Sequence, residues 1–171
     1  AFGKSYVIWM IASLFRQAKI AIVTKRKDVA QGLYRLGHKF VPSVGMRGGG
    51  RRKKGRVTVY TADSMHHADF DEDIVLFDEV HELMTDNYIE KIGRWGDTRT
   101  YGFTASKETR FDNAHHRLEP YIGPTIFYLD YPTAEAHGLV VPIIVQWLYY
   151  QSVVNPCINF QNGVARKRWG I

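Results

Sequence analysis

Apolar residues in this chain arrive in short runs that alternate between two spacings. Val7, Ile8, Ile11, Leu14 and Phe15 recur at helical intervals, which predicts a helix over residues 3–17. Residues 19–24 form a compact apolar run of strand length, and residues 27–36 read as a helix that stops at Gly37. Residues 42–56 lack an apolar period and read as a long, glycine-rich loop. Residues 57–60 are a second strand, with a turn at residues 61–65 leading into a short helix. Residues 74–77 are a third strand, residues 87–95 a helix and residues 100–104 a fourth strand. A helix around residues 113–121 follows, then a strand at 125–128. A short helix at 133–137 ends at Gly138, and an extended segment spans 142–150. Strands alternating with helices predict an α/β fold, a mostly parallel sheet with helices on both faces. Right-handed crossovers then bring the carboxyl ends of the strands to one edge.

The chain has 171 residues, enough for one domain with a substantial core. Residues 1–150 carry the alternating pattern, and residues 151–171 read as a linker. No internal repeat is visible. The apolar segment from Tyr6 to Phe15 is ten residues long, too short to span a bilayer, so no membrane partner is expected. No small-residue cleavage pattern follows it, which argues against a signal peptide. The single cysteine, Cys157, excludes an internal disulfide framework and suits a reducing, cytoplasmic compartment.

Charge is unevenly placed. Arg47, Arg51, Arg52, Lys53, Lys54 and Arg56 put six positive charges within ten residues, equal to the whole net charge of +6. Residues 57–90 contain ten acids and no Lys or Arg. Glycine lets a strand of nucleic acid approach main-chain amides, and Arg and Lys neutralise phosphates without reading sequence. The basic segment is therefore a candidate polyanion contact.

The most chemically specific segment is Ile74-Val75-Leu76-Phe77-Asp78-Glu79-Val80-His81. An apolar strand ending in two adjacent carboxylates places both acids at the sheet edge where open α/β folds hold ligands. Hydrolysis of a γ-phosphate needs Mg²⁺ on the phosphate oxygens and a group that positions the attacking water. Asp78 suits the first role and Glu79 the second. Gly3-Lys4-Ser5 matches the end of a phosphate-binding loop. Lys4 would face phosphate, Ser5 would reach Mg²⁺ and the following helix N-terminus favours anions. Thr104-Ala105-Ser106 closes the next strand, with hydroxyls placed to bond the acids or His81. His66-His67 and His115-His116 lack the spacing of a metal site, and adjacent histidines usually point apart. The aromatic residues Trp147, Tyr149 and Tyr150 read as core or interface.

In this order the motifs resemble the first RecA-like domain of superfamily 2 helicases, P-loop NTPases of the DExH group. The resemblance is nearest to phage-type and restriction-enzyme-like DNA helicases. Gly3-Lys4-Ser5 is similar to the end of motif I, and Thr24-Lys25 with Ala30-Gln31 to motif Ia. Gly48-Gly49 resembles motif Ib and Thr61 to Met65 motif Ic. Asp78-Glu79-Val80-His81 resembles motif II, and Thr104-Ala105-Ser106 motif III. Residues 137–142 are similar to the stretch before the last strand of that domain. The resemblance implies an ATP- and Mg²⁺-dependent motor, with nucleic acid as partner and DNA favoured over RNA. It implies Ser5 and Asp78 at the metal, and Gly3, Lys4 and Ser5 at the nucleotide. Glu79 and His81 would join Asp78 in catalysis, and Thr104 and Ser106 would couple hydrolysis to movement. Thr24, Lys25, Gly48, Gly49, Thr61 and the basic residues Arg51, Arg52, Lys53 and Lys54 would lie along the nucleic acid. A cytoplasmic location follows, the host cytoplasm for a phage protein.

The family pattern also includes features not found in these 171 residues. They are the first glycine of motif I, an adenine-reading glutamine motif, and a second RecA-like domain with its arginine finger. Arg166-Lys167-Arg168-Trp169 resembles the approach to that domain. An arginine finger contributes about 10³–10⁵ in rate. These residues alone are therefore expected to turn over ATP negligibly. Two other readings stand beside the helicase: a restriction-system motor that translocates duplex DNA without unwinding it, and a non-catalytic nucleic-acid-binding remnant.

Overall fold

The computed structural model describes residues 3–105, 117 and 119–141. Ser106, His115-His116, Trp147, Tyr149, Tyr150, Cys157 and the expected segments at 142–150 and 151–171 lie outside the described residues, as does most of the expected helix at 113–121. The chain divides into two compact units, Ala1–Asp130 and Tyr131–Ile171.

In the first unit, α1 (Lys4–Leu14), β1 (Ile20–Thr24) and α2 (Lys27–Gly37) lead into β2 (Val44–Gly48), β3 (Arg51–Lys53) and β4 (Val57–Thr61). A 3₁₀ helix (Ala62–His67) precedes β5 (Ile74–Asp78), and a second one (Val80–Leu83) precedes α3 (Asp86–Gly93), β6 (Arg99–Phe103) and α4 (Glu119–Ile122). The six strands form one sheet in the order β3-β2-β4-β1-β5-β6. All neighbours pair in parallel except β2 and β3, which are antiparallel. The second unit contains α5 (Tyr131–Ala136), whose Tyr131 hydroxyl donates to the Val141 carbonyl at 2.6 Å.

Every residue of β1, β4 and β5 is buried, as expected of parallel strands covered on both faces. Their alternate side chains feed two cores. Ile20, Ile22, Val57, Val59, Ile74 and Leu76 pack with Ile8 and Trp9 of α1 and Leu33 of α2. Ala21, Val23, Tyr60, Val75 and Phe77 pack with Met65, Leu83, Ile92 and Trp95 on the other face. The parallel pairing puts Thr24, Gly48, Thr61, Asp78 and Phe103 at the carboxyl edge of the sheet.

Three expectations fail here. Residues 42–56 are not a loop: β2 and β3 form a hairpin joined to the sheet through β4. Its glycines serve fit as well as flexibility. Gly49 and Gly50, at φ +59° and +86°, are the two central residues of the tight turn between Gly48 and Arg51. A Cβ on Gly45 would lie 2.5 Å from the Gly55 backbone nitrogen, so the hairpin closes only with glycine there.

Secondly, α1 ends at Leu14 and buries Ile8, Trp9 and Ala12, whereas Tyr6, Val7, Met10, Leu14 and Phe15 are exposed. The helix is apolar nearly all round, so its sequence period did not select a face. Thirdly, residues 125–128 are not a strand: Ile126, Phe127 and Tyr128 are exposed and form no ladder among the described residues. A strand requires a partner for its backbone groups, and periodicity alone does not supply one.

Candidate nucleotide and nucleic-acid sites

Asp78 is the last residue of β5 and is 3% exposed. Glu79 follows in the left-handed region, at φ +49° and ψ 51°, which a residue with a Cβ rarely adopts. Such a conformation costs on the order of 1–3 kcal/mol and is characteristic of functional sites. It turns the chain sharply into the second 3₁₀ helix, with Glu82 N–H donating to the Glu79 carbonyl at 2.8 Å.

The turn brings three separated motifs together. The Lys4 ammonium at the start of α1 donates to Glu79 Oε1. His81 Nδ1 lies 2.8 Å from Thr104 Oγ1, just past β6. The same nitrogen is 3.4 Å from Glu79 Oε2, without hydrogen-bond geometry. Asp78 Oδ1, Glu79 Oε2 and Glu82 Oε2 are buried and have no hydrogen-bond partner among the described residues. Glu82 is the one member of this group that sequence reading passed over. Its only sequence signal is its place three residues after Glu79.

Burial pushes the Asp78 carboxyl above its ordinary pKa, the neighbouring Glu79 charge adds to the rise, and Lys4 opposes it. A buried carboxylate oxygen with no partner, beside a second carboxylate, fits a hard divalent cation such as Mg²⁺. Gly3, left-handed at φ +75°, leads into α1, whose first turn contains no acid. The free amides and dipole of that terminus, with Lys4 beside them, fit a phosphate. Ser5 lies in this first turn and is half-buried.

The candidate nucleic-acid residues divide. Thr24 and Thr61 end their strands at the same edge, but both are buried. Thr61 Oγ1 lies 2.8 Å from Ser64 Oγ, which in turn donates to the Arg47 carbonyl at 2.7 Å. Lys25 is exposed just beyond. A Cβ on Gly48, at φ +114°, would meet Thr61 Oγ1 at 2.2 Å, so Gly48 and Thr61 are fitted to each other. Gly49 is exposed at the turn.

Arg51, Arg52 and Lys53 are exposed along β3, and the Arg51 guanidinium lies 4.9 Å from the centre of the Tyr34 ring. Because β3 runs antiparallel, the rest of the basic run descends to the amino edge. There Lys54 forms an ion pair with Asp69, which also binds Lys19 at 3.2 Å. Arg56 donates to the carbonyls of Ala12, Phe15 and Ala18 at 2.8–3.0 Å and so closes the C-terminal end of α1.

Arg56→Ala should therefore lower stability by about 1–3 kcal/mol, with Lys recovering only part of it. Urea unfolding would measure the loss, and the salt dependence of nucleic-acid binding should not change.

No family model matches the chain, and no curated protein matches it. Solved structures do. A hypothetical ATP-dependent RNA helicase from Sulfolobus tokodaii superimposes with a TM-score of 0.60 at 14% identity, over 70% of this chain and 42% of that one. The fold is RecA-like. The UvsW helicase from Bacteriophage T4 superimposes with a TM-score of 0.55 at 16% identity, over 67% of this chain and 48% of that one. The RecA-like domain thus spans under half the length of either structure. Among its described residues, no helix is long and apolar enough to cross a membrane.

Proposed function

We propose that this RecA-like domain is the nucleotide-binding part of an ATP-driven nucleic-acid motor, a helicase or translocase of DExH type that prefers DNA to RNA. The observation that carries the reading is the junction of Lys4, Asp78, Glu79, His81 and Thr104 at one sheet edge, with Asp78 Oδ1 left open. Lys4, Ser5 and the α1 terminus bind the phosphates, and Asp78 with Ser5 holds Mg²⁺. Bound Mg²⁺ neutralises charge on the phosphate oxygens. A phosphate that draws Lys4 away leaves the Glu79 carboxylate free to orient a water and take its proton. His81, bonded to Thr104 beside that carboxylate, couples hydrolysis to movement along the nucleic acid. The preference for DNA rests on the resemblance of the motifs to phage and restriction-type enzymes.

The test is binding of a fluorescent ATP analogue to the 171-residue chain. Binding should require Mg²⁺ and be lost in Lys4→Ala. Equal binding by wild type and Lys4→Ala would reject the site. In the complete protein, ATP turnover should rise more with single-stranded DNA than with RNA of equal length. The reverse order would reassign the substrate to RNA.

A further inference from the structure

The β2–β3 hairpin carries positive charge on both faces, and the two faces differ. Met46 belongs to the core on the α2 side, and Lys53 is its ladder partner. Arg51 lies on that side too, over Tyr34 of α2. Arg47 and Arg52 are ladder partners and share the opposite face. Arg47 is in register with Tyr60, which packs with Met65 of the first 3₁₀ helix. That helix ends in His66 and His67, both exposed, with ring centres 3.9 Å apart. The two adjacent rings lie side by side, tilted by 47°, rather than pointing apart.

The arrangement is built rather than incidental. Ser64 fastens the 3₁₀ helix to the Arg47 carbonyl, and Gly48 is the residue small enough to seat Thr61 beneath it. His66 Nδ1 lies 2.8 Å from the Asp63 carbonyl oxygen, which only accepts, so Nδ1 carries the proton. Among the described residues no acid pairs with Arg47 or Arg52. Two arginines face each other across a ladder, with two histidines beside them, which is unfavourable unless an anion is shared.

We propose that Arg47, Arg52, His66 and His67 grip the phosphodiester backbone of a nucleic-acid strand on the hairpin face turned away from Arg51, and that protonation of His67 tightens this grip. The inference rests on the nucleic-acid reading above. Other ionisable groups around the 3₁₀ helix do not supply the same switch. Asp63 accepts from the Tyr88 hydroxyl of α3 at 2.7 Å, and Lys91 lies over the Tyr88 ring. Tyr60 of β4 has its pKa raised by burial, and Glu72 and Asp69 add to the rise. β1 carries no ionisable side chain. Asp69, two residues on from His67, is held by Lys54 and Lys19.

Without an anion, burial lowers the His67 pKa below its ordinary 6.5, and His66, Arg47 and Arg52 lower it further. A bound phosphate opposes those like charges, so binding takes up a proton as pH falls through that region. The expected result is tighter binding at pH 5.5 than at pH 8.

The experiment measures affinity of the 171-residue chain for oligo-thymidine and oligo-uridine, whose bases do not titrate in this range. Salt is varied at both pH values. One added phosphate contact steepens the slope of log K against log salt by about 0.7, or about fivefold in affinity at 0.1 M salt. His66→Gln with His67→Gln should lose the pH response, binding no more tightly at pH 5.5 than at pH 8. Arg52→Ala should weaken binding at both pH values. A pH response that survives in the double histidine variant overturns the inference. So does an equal response with polyglutamate, which would assign the patch to an acidic protein segment. Absence of nucleic-acid binding at every pH would instead overturn the nucleic-acid reading on which the inference rests.

Discussion

Glu79→Gln should lower nucleic-acid-stimulated ATP turnover of the complete protein by about 10²–10⁴-fold, the range for loss of a general base. ATP binding should survive. Glutamine has the same shape and keeps an acceptor oxygen for Lys4, whose ammonium bonds Glu79 Oε1. It also inherits the left-handed backbone of this position unchanged. Only the charge and the basicity are removed. Glu79→Ala would remove the contact to Lys4 as well, so it confounds base loss with a rearranged phosphate site. The informative comparison is therefore turnover against nucleotide affinity in Glu79→Gln. Unchanged turnover would remove Glu79 from the role. A parallel loss of affinity would show that the Lys4 contact, rather than basicity, was the part that mattered.

The position of Asp78 and Glu79 at the carboxyl edge was legible because its signal is local and chemical. Ile74 to Phe77 can hardly be anything but a buried strand, and the acids follow without a gap. Strand direction then followed from the alternation of elements. What could not be read were relations that only tertiary packing makes. Arg56 looks in sequence like the other charges of its run, yet it caps α1 from 38 to 44 residues away, through the carbonyls of Ala12, Phe15 and Ala18. Lys54 is likewise held by Asp69. The contrast with Arg51 and Arg52 arises because β3 turns back across the sheet, and that turn hides in glycines that resemble a loop. The same blindness affected Gly37, which reads as a helix stop. In the fold it also leaves room for Trp9, whose ring would lie 2.3 Å from a Cβ there.

Asp78→Asn should have opposite effects on stability and activity. Asp78 is buried, and its carboxyl is pushed above the ordinary value by that burial and by Glu79. A folded-state pKa above the unfolded one means that ionisation is resisted by the fold. Its cost is absent well below the unfolded value of 3.8, grows as pH rises through the folded value and persists at neutral pH. An asparagine carries no such cost. At pH 7 the variant should melt about 2–4 °C higher, the shift for roughly 1 kcal/mol in a chain of this size. The advantage should close towards pH 3. Activity should move the other way, because Asn removes the charge that Mg²⁺ needs: turnover in the complete protein should fall by about 10²-fold or more. The same melting measurement tests the site directly. Saturation at about 100 Kd adds roughly 2.7 kcal/mol, so Mg²⁺-ATP should raise the wild-type midpoint by roughly 5–10 °C. Asp78→Asn should lose most of that increment. If Asn instead lowered the midpoint at pH 7 and kept the response to Mg²⁺-ATP, Asp78 would be a structural acid and the open Oδ1 would not be a metal ligand. A carboxylate that destabilises its own fold is explained by what it binds, and this variant separates that cost from that use.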